Sequence, residues 1–346
     1  MIGNKITLPT WRWLKINKTE VEFDIDDISY SLVENSKKEI SKENKDIIDK
    51  YLSGFDENFD INSRFNHSNI IADQNELTTL KYELNKENPI LIDKQIIIAE
   101  ENKEVSVVYD YYDDGNSDYK RYTDLRILAK NNADVRVYII QRHGKNTKSI
   151  HSLTSISLDN ANIEVVEIEV GDGDTYFTYR SHLVGSEAKS DINSIYFGVG
   201  NEKLDLFYNI DHIGKKTNSN VIVKGALANN AKKVFKASLD FKEGSAGSSG
   251  NEEEYVTLMS DTAKSVAVPL LLCHEHDVVG NHASSAGKLD KDVLFYIMSR
   301  GISRKEAEKM IIESNLLPIV DLLPIEEYKS LIRDVIERKI DKAYES

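Results

Sequence analysis

Cysteine is nearly missing from this chain: Cys273 is the single thiol among 346 residues. One thiol excludes an internal disulfide and any four-thiolate metal site built by one chain. Proline is also scarce. Between Leu77 and Cys273 only Pro89 and Pro269 interrupt the backbone. No apolar run approaches the roughly 18 residues that a membrane-spanning helix needs. The opening Met1-Ile2-Gly3-Asn4-Lys5 has no apolar segment and no small-residue cleavage site, so a cytoplasmic location is expected. Positive charge is in deficit: 44 Lys and Arg stand against 58 Asp and Glu, a formal net charge of −14. A surface that acidic repels phosphate backbones and anionic bilayers, so neither nucleic acid nor membrane is an expected partner. There is no Gly-x-x-x-x-Gly-Lys-Ser/Thr loop, so the chain is not expected to hydrolyse ATP.

What is present is enough apolar residue to bury a core, 40% of the chain. The length suits two or three structural units. Residues 1–76 read as an N-terminal helical or irregular cap. It holds Trp11 and Trp13 and a helix over 37–53, with Ile40, Ile47, Ile48, Tyr51 and Leu52 apolar and Gly54 as the stop. Residues 77–287 change to short runs of period two. Val135, Val137 and Ile139 alternate with Arg136 and Tyr138. Phe235, Ala237, Leu239 and Phe241 alternate with Lys236, Ser238 and Asp240. No helix-length pattern intervenes, which disfavours βαβ units.

Polar corners recur through this region. Asn131-Asn132-Ala133 is echoed at Asp159-Asn160-Ala161, Gly185-Ser186-Glu187-Ala188, Asn229-Asn230-Ala231 and Asp261-Thr262-Ala263. Their spacings are 28, 26, 44 and 32 residues, the 44 read as two shorter turns. Irregular periods with polar corners suit a stacked β-solenoid. A large antiparallel sandwich is the alternative. Residues 288–346 read as a helical domain. Asp290 caps a helix to Arg300 that ends at Gly301. Ser303 and Glu306 form a capping box for a second helix, which stops before Pro318. Pro324 opens a third, with Tyr328, Leu331, Ile332, Val335, Ile336 and Ile340 on one face.

Signals for chemistry are sparse. Gly244 to Gly250 is glycine-rich, but Glu252, Glu253 and Glu254 follow it and would repel a phosphate. Asp110 to Asp118 fails the spacing of a calcium loop, with Tyr112 and Arg121 at ligand positions. Cys273-His274-Glu275-His276 is the densest run of metal-ligating types. On a strand its members point alternately to opposite faces, so two at most meet one ion, and Cys273 after Leu270, Leu271 and Leu272 reads as a buried apolar residue. His282 is set apart by small neighbours, just before the first C-terminal helix. Asp172, Asp174 and Asp205 supply the paired acids for an alternative reading, a carbohydrate-active β-helix lyase or hydrolase.

The run VPLLLC (268–273), VVGNHASSAGKLD (278–290) and LFYIMSRGIS (294–303), followed by Glu306-Ala307, resembles the SufB/SufD family of iron–sulfur cluster assembly proteins. Weaker likenesses lie at Leu183-Val184-Gly185, Asp211-His212 and Lys224-Gly225-Ala226-Leu227. The opening Leu8-Pro9-Thr10-Trp11-Arg12-Trp13-Leu14 is similar to the start of SufD-type chains. The resemblance implies a right-handed parallel β-helix, mainly β, between an N-terminal cap and C-terminal helices. Within the family the SufD branch is the nearer likeness. The cluster-initiating cysteine of SufB would fall at Glu254 or a neighbour, and 252–261 contains none. SufB also carries a glutamate next to the histidine of the turn, where this chain has Asn281 and Ala283. Gly280 stands where some SufD chains have a cysteine.

From that resemblance follow a set of expectations. The chain is a scaffold rather than an enzyme. It holds no cofactor tightly when alone, and an iron–sulfur cluster is held transiently and shared with SufB. His282 is the cluster-assembly residue and transient metal ligand at that interface, since one cysteine cannot hold a cluster alone. The ATPase SufC docks on Leu294, Phe295, Ile297, Met298 and Arg300. A homodimer of the isolated chain, or a SufB-like homodimeric scaffold, is the alternative assembly.

Overall fold

The structure, a computed structural model, describes residues 1–9, 15–23, 39–51, 54–56, 66–72 and 77–345, with 66–72 described by backbone alone. Trp11 and Trp13 lie outside the described residues, as do both ends of the helix expected over 37–53. Its described part is α1, Lys42–Asp49, capped by the Ser41 side chain.

Among the described residues, strands alternate between two sheets of eight. One runs from Leu77–Leu84 to Val278–Lys288, the other from Asn66–Ala72 to Lys264–Cys273, and each coil adds one strand to each sheet in parallel. This is the expected parallel β-helix. Every second residue points into the lumen, which explains the period-two texture. The lumen is filled by Val107, Val137, Val165, Leu153, Phe177, Phe235 and their neighbours, all without solvent exposure.

The polar corners are explained by backbone geometry. Asn102, Asn132 and Asn160 have φ of 59°, 58° and 55°, the left-handed region that asparagine tolerates. They also form a ladder: Asn132 Nδ2 donates to Asn102 Oδ1 at 3.1 Å, and Asn160 Nδ2 to Asn132 Oδ1 at 2.9 Å. Glu187 and Lys216 continue this corner, with φ of 60° and 55°. The 44-residue gap is therefore not two turns of one corner. Lys216 occupies the missing repeat without its asparagine, and the motif at Asn229 belongs to the opposite corner, before strand Lys232–Phe241.

Three helices follow the body. α2 is Lys291–Ser299, capped by Asp290, whose carboxylate accepts from Asp292 N and Val293 N. Gly301 has φ 87° and ends it as expected. α3 is Arg304–Val320, capped by Ser303. It does not stop before Pro318 but runs through it. The proline removes one backbone bond near the helix end, and burial of Leu316, Ile319 and Val320 offsets that loss. α4 is Glu326–Tyr344. Its Ile332, Val335, Ile336 and Ile340, with Ile312 and Leu316 of α3, pack on outward residues of the first sheet such as Ile140, Ile168 and Ile195.

The outer face of the second sheet carries the N-terminal residues. Ile2–Gly3 pairs antiparallel with Thr19–Glu20. Asn4 is fully buried and donates to Asp205 Oδ1 at 2.6 Å, while Lys236 Nζ lies 3.1 Å from Asp205 Oδ2. With both outer faces occupied, the most exposed β surface is the last coil, 264–288.

Candidate functional site

His282 sits on that last coil, in the middle of strand Val278–Lys288 and not in a turn. Among the described residues its strand pairs only with Ser248–Leu258. In-register parallel pairing stacks like positions on one face, so His282 belongs to a lumen column that can be followed through the body. The column runs Val107, Val137, Val165, Ile192, Val221, Glu252, His282. Five aliphatic residues give way to a carboxylate and then to an imidazole. His282 is exposed because, among the described residues, no coil lies beyond it.

Glu252 is wholly inaccessible, and neither of its carboxylate oxygens has a hydrogen-bond partner. Burial, reinforced by the neighbouring Glu254, pushes its carboxyl up to about 8. Glu254 is also fully buried but well satisfied. Lys233 Nζ pairs with its Oε1, Tyr196 donates its hydroxyl to Oε1 at 3.1 Å, and Ser284 donates to Oε2 at 3.1 Å. Burial lowers the Lys233 ammonium, and Glu254 opposes that shift.

The glycine at 280 has a local cause. A Cβ there would lie 2.6 Å from Leu271 Cδ1, so the Leu271 side chain fills the space that a cysteine would need.

Cys273 ends its strand in register with Phe241, and it is exposed rather than buried. The reason is again the missing next coil: its column of Leu183, His212 and Phe241 is covered, and the last member is not. His212 is a satisfied core histidine, 2.8 Å from Thr217 Oγ1 and 2.9 Å from Ser219 Oγ. The rest of the run forms a corner. Glu275 accepts from Gly244 N at 3.2 Å and His276 N at 2.7 Å, and His274 Nε2 is 3.6 Å from Asp240 Oδ1. Among the described residues no group of three or more His, Cys, Asp or Glu is arranged to hold a metal.

The acids of the carbohydrate reading are not brought together over a groove. Asp172 pairs with Lys339 and Lys342 of α4 at 3.0 and 2.9 Å. Asp205 is bound under the N-terminal residues by Asn4, Thr19 and Lys236. Asp174 accepts from Lys203 N at 3.0 Å.

On α2, Leu294 is buried and Ile297 half-buried, which anchors one face. The other face is open: Phe295 is 75% and Met298 41% exposed, and Arg300 lies 5.1 Å over the exposed ring of Tyr296. A solvent-facing phenylalanine of that extent is an unpartnered apolar surface.

Residues 82–315 match the family model described as SUF system FeS cluster assembly, SufBD core domain. The match spans most of the β-helix and α2, with the His282 strand inside it. The chain belongs to the SufBD family. Among its relatives, the iron–sulfur cluster assembly protein SufD of Bacillus subtilis is 33% identical over 171 residues, 49% of this chain and 39% of that protein. A SufBD family protein of Staphylococcus aureus (strain USA300) is 26% identical over 219 residues, 62% of this chain and 47% of the relative. One from Mycobacterium tuberculosis (strain ATCC 25618 / H37Rv) is 24% identical over 219 residues, 63% of this chain and 26% of the relative. The aligned region thus covers less than half the length of each of these relatives. Among the described residues no helix is long and apolar enough to cross a membrane.

Sequence reasoning missed Glu252, Glu254 and Lys233 as lumen residues. In sequence the acidic triplet only argues against phosphate at the preceding glycine-rich loop. Only the register through the preceding coils shows that Glu252 and Glu254 turn inward while Glu253 turns out.

Proposed function

We propose that this SufBD-family chain is a non-enzymatic scaffold subunit of a SUF-type iron–sulfur cluster assembly complex in the cytoplasm. It acts with a SufB-type partner and the ATPase SufC. Iron and sulfide are cargo. The cluster forms against the open last coil, is shared with the partner, and passes on to client proteins. The observation that carries this reading is the place of His282: a lumen-column imidazole exposed on the strand that ends its sheet among the described residues. An edge strand in that state offers a row of free backbone donors and acceptors to another chain. A partner seated there would bring its thiolates next to His282. The single cysteine supports the sharing, because a cluster needs about four ligands, mostly thiolates. A neutral imidazole is a weaker ligand than thiolate and suits release.

The exposed face of α2 fits the ATPase. Leu294 and Ile297 lie on the covered side of the helix, which packs beside α3, and Phe295, Met298 and Arg300 face outward for SufC. Alone, the chain is expected to purify without a bound cluster.

The test is anaerobic reconstitution of the co-expressed complex with His282→Ala. The expected outcome is an intact complex with little cluster absorbance and little maturation of a client apoprotein. Undiminished loading in the variant would overturn the assignment of His282.

A further inference from the structure

We propose that Glu252 and His282 together form a divalent-cation site at the open end of the β-helix, held by this chain without its partner. The site deepens the scaffold reading, on which it rests for the identity of the ion, Fe(II). Its geometry stands by itself.

The starting point is Glu252. A carboxyl group with no exposure and no hydrogen-bond partner on either oxygen is costly for a fold to keep. Nothing in the coil architecture demands it. The same lumen position holds Val107, Val137, Val165, Ile192 and Val221 in the preceding coils. Nor is the acid there for Lys233, which pairs with Glu254 instead. Glu252 is thus a buried carboxyl that no group of the described residues satisfies.

The second donor for a cation is beside it. His282 is its register neighbour on the next strand, on the same inward face, and strands lie about 4.8 Å apart. Carboxylate and imidazole on adjacent strands can both reach an ion at about 2 Å from each. Oxygen plus nitrogen donors suit Fe(II), Mn(II), Co(II) or Zn(II) rather than a soft monovalent ion. Two protein donors leave the other positions to water, which agrees with the lack of any three-residue cluster among the described residues.

The facing wall also changes here. In the opposite sheet one lumen column runs Tyr179, Tyr208, Ala237, Pro269. The Tyr179 and Tyr208 hydroxyls reach Ser190 and Ser194, so that column faces the one holding Ile192, Val221 and Glu252. Two tyrosine rings give way to a methyl and a proline ring in the last two coils, opposite Glu252 and His282. Ring bulk is withdrawn where the acid and the histidine appear, and the end of the solenoid is open to solvent.

The Cys273–His276 corner is the competing place for a metal, and it is excluded as this site by its position. Its Glu275 is engaged with backbone amides, and it lies at the end of the strand rather than across the lumen column of Glu252.

The test uses the full, tag-free chain and Co(II) alone under anaerobic conditions at pH 7.5, read by d–d absorption and calorimetry. The wild type should bind one Co(II) per chain and gain in melting temperature. Glu252→Gln and His282→Ala should each weaken binding by at least about tenfold, the least expected when a direct ligand goes. Cys273→Ser with His274→Gln and His276→Gln should leave it unchanged. Because His282 is exposed, its alanine variant folds regardless, and far-UV circular dichroism checks Glu252→Gln. No saturable binding by the wild type, retention in Glu252→Gln, or loss in the triple variant would each overturn the site. These readouts need no SufB or SufC. Failure here with normal complex assembly refutes the cation site alone, and Co(II) binding without any complex refutes the scaffold reading alone.

Discussion

Lys233 and Glu254 form an ion pair inside the β-helix with neither side chain exposed to solvent. They sit one coil from the open end, on opposite walls of the lumen, and tie the two sheets together there. Tyr196 and Ser284 satisfy further valences of the carboxylate. The pair is part of the floor on which His282 and its strand rest.

Breaking that pair should cost far more than replacing it. Lys233→Met leaves a buried carboxylate with only hydroxyl partners and should lower stability by about 3–5 kcal/mol. Glu254→Leu leaves a buried ammonium and should cost a similar amount. The double substitution should recover most of the loss, because two well-packed apolar residues need no pairing. Chemical denaturation of the four proteins gives the coupling directly. Additive losses would mean that the two side chains do not interact.

Glu167 sets a pH dependence in the middle of the body. It is fully buried, accepts from Gln141 Nε2 at 3.1 Å, and is pushed up to about 8 by burial and by neighbouring Glu169. The unfolded chain releases this proton near the ordinary value of 4.5, whereas the native state holds it to about 8. Between those values the native state binds the extra proton, so stability falls as pH rises. Buried His143 and His212, lowered by burial from 6.5 to about 4, act in the opposite sense, but only below 6.5. From pH 6.5 to 8 the carboxyl effect stands clear of both. One proton contributes up to about 1.4 kcal/mol per pH unit, so the fall attributable to Glu167 is about 2 kcal/mol across that window. Glu167→Gln should lessen, by about 2 kcal/mol, the fall in stability between pH 6.5 and 8 in denaturation curves, while Glu252, raised to the same value, keeps its own share. An unchanged slope would show that Glu167 titrates normally.

The open face of α2 predicts a clean separation of docking from folding. Phe295→Asp with Met298→Asp alters two exposed side chains, so the melting temperature should stay within a few degrees of the wild type. Under the scaffold reading, retention of SufC by the purified chain should fall at least about tenfold, as expected when an apolar anchor is replaced by a charge. Full retention of SufC would move its docking surface elsewhere.

The architecture was legible because the β-helix writes its period twice: alternation along each strand, and asparagine at the left-handed corner. Where the corner residue changes to Lys216, the backbone keeps its positive φ without the sequence marking it, and the repeat skips. Pro318 misled because a proline in a last helical turn costs little when Ile319 and Val320 bury beyond it. At the site, His282 was found by likeness to a family and not by pattern. Glu252 could not be found at all. Glu252, Glu253 and Glu254 are consecutive acids, so alternation does not say which face they line. That follows only once Val221 is known to stand beneath Glu252.

The contact that fixes the C-terminal helices on the body centres on Lys339. It lies on α4 with 3% exposure, and its Nζ donates to Gly171 O, to Asp172 Oδ1 at 3.0 Å and to Glu202 Oε2 at 3.2 Å. Gly171 and Asp172 belong to one corner of the body, so a single ammonium clamps the helix across two coils. Asp172 is also held by Lys342 and Glu202 by Val199 N, so each acid keeps a partner when Lys339 is lost. Lys339→Met should therefore cost about 2–3 kcal/mol rather than unfold the chain. The loss should be local. Amide exchange should quicken along 326–344 and stay slow in the coils from Asp134 to Phe241, because the β ladders do not depend on the helix. Equal acceleration in both regions would mean that α4 and the β-helix unfold as one unit and that Lys339 is no separate clamp.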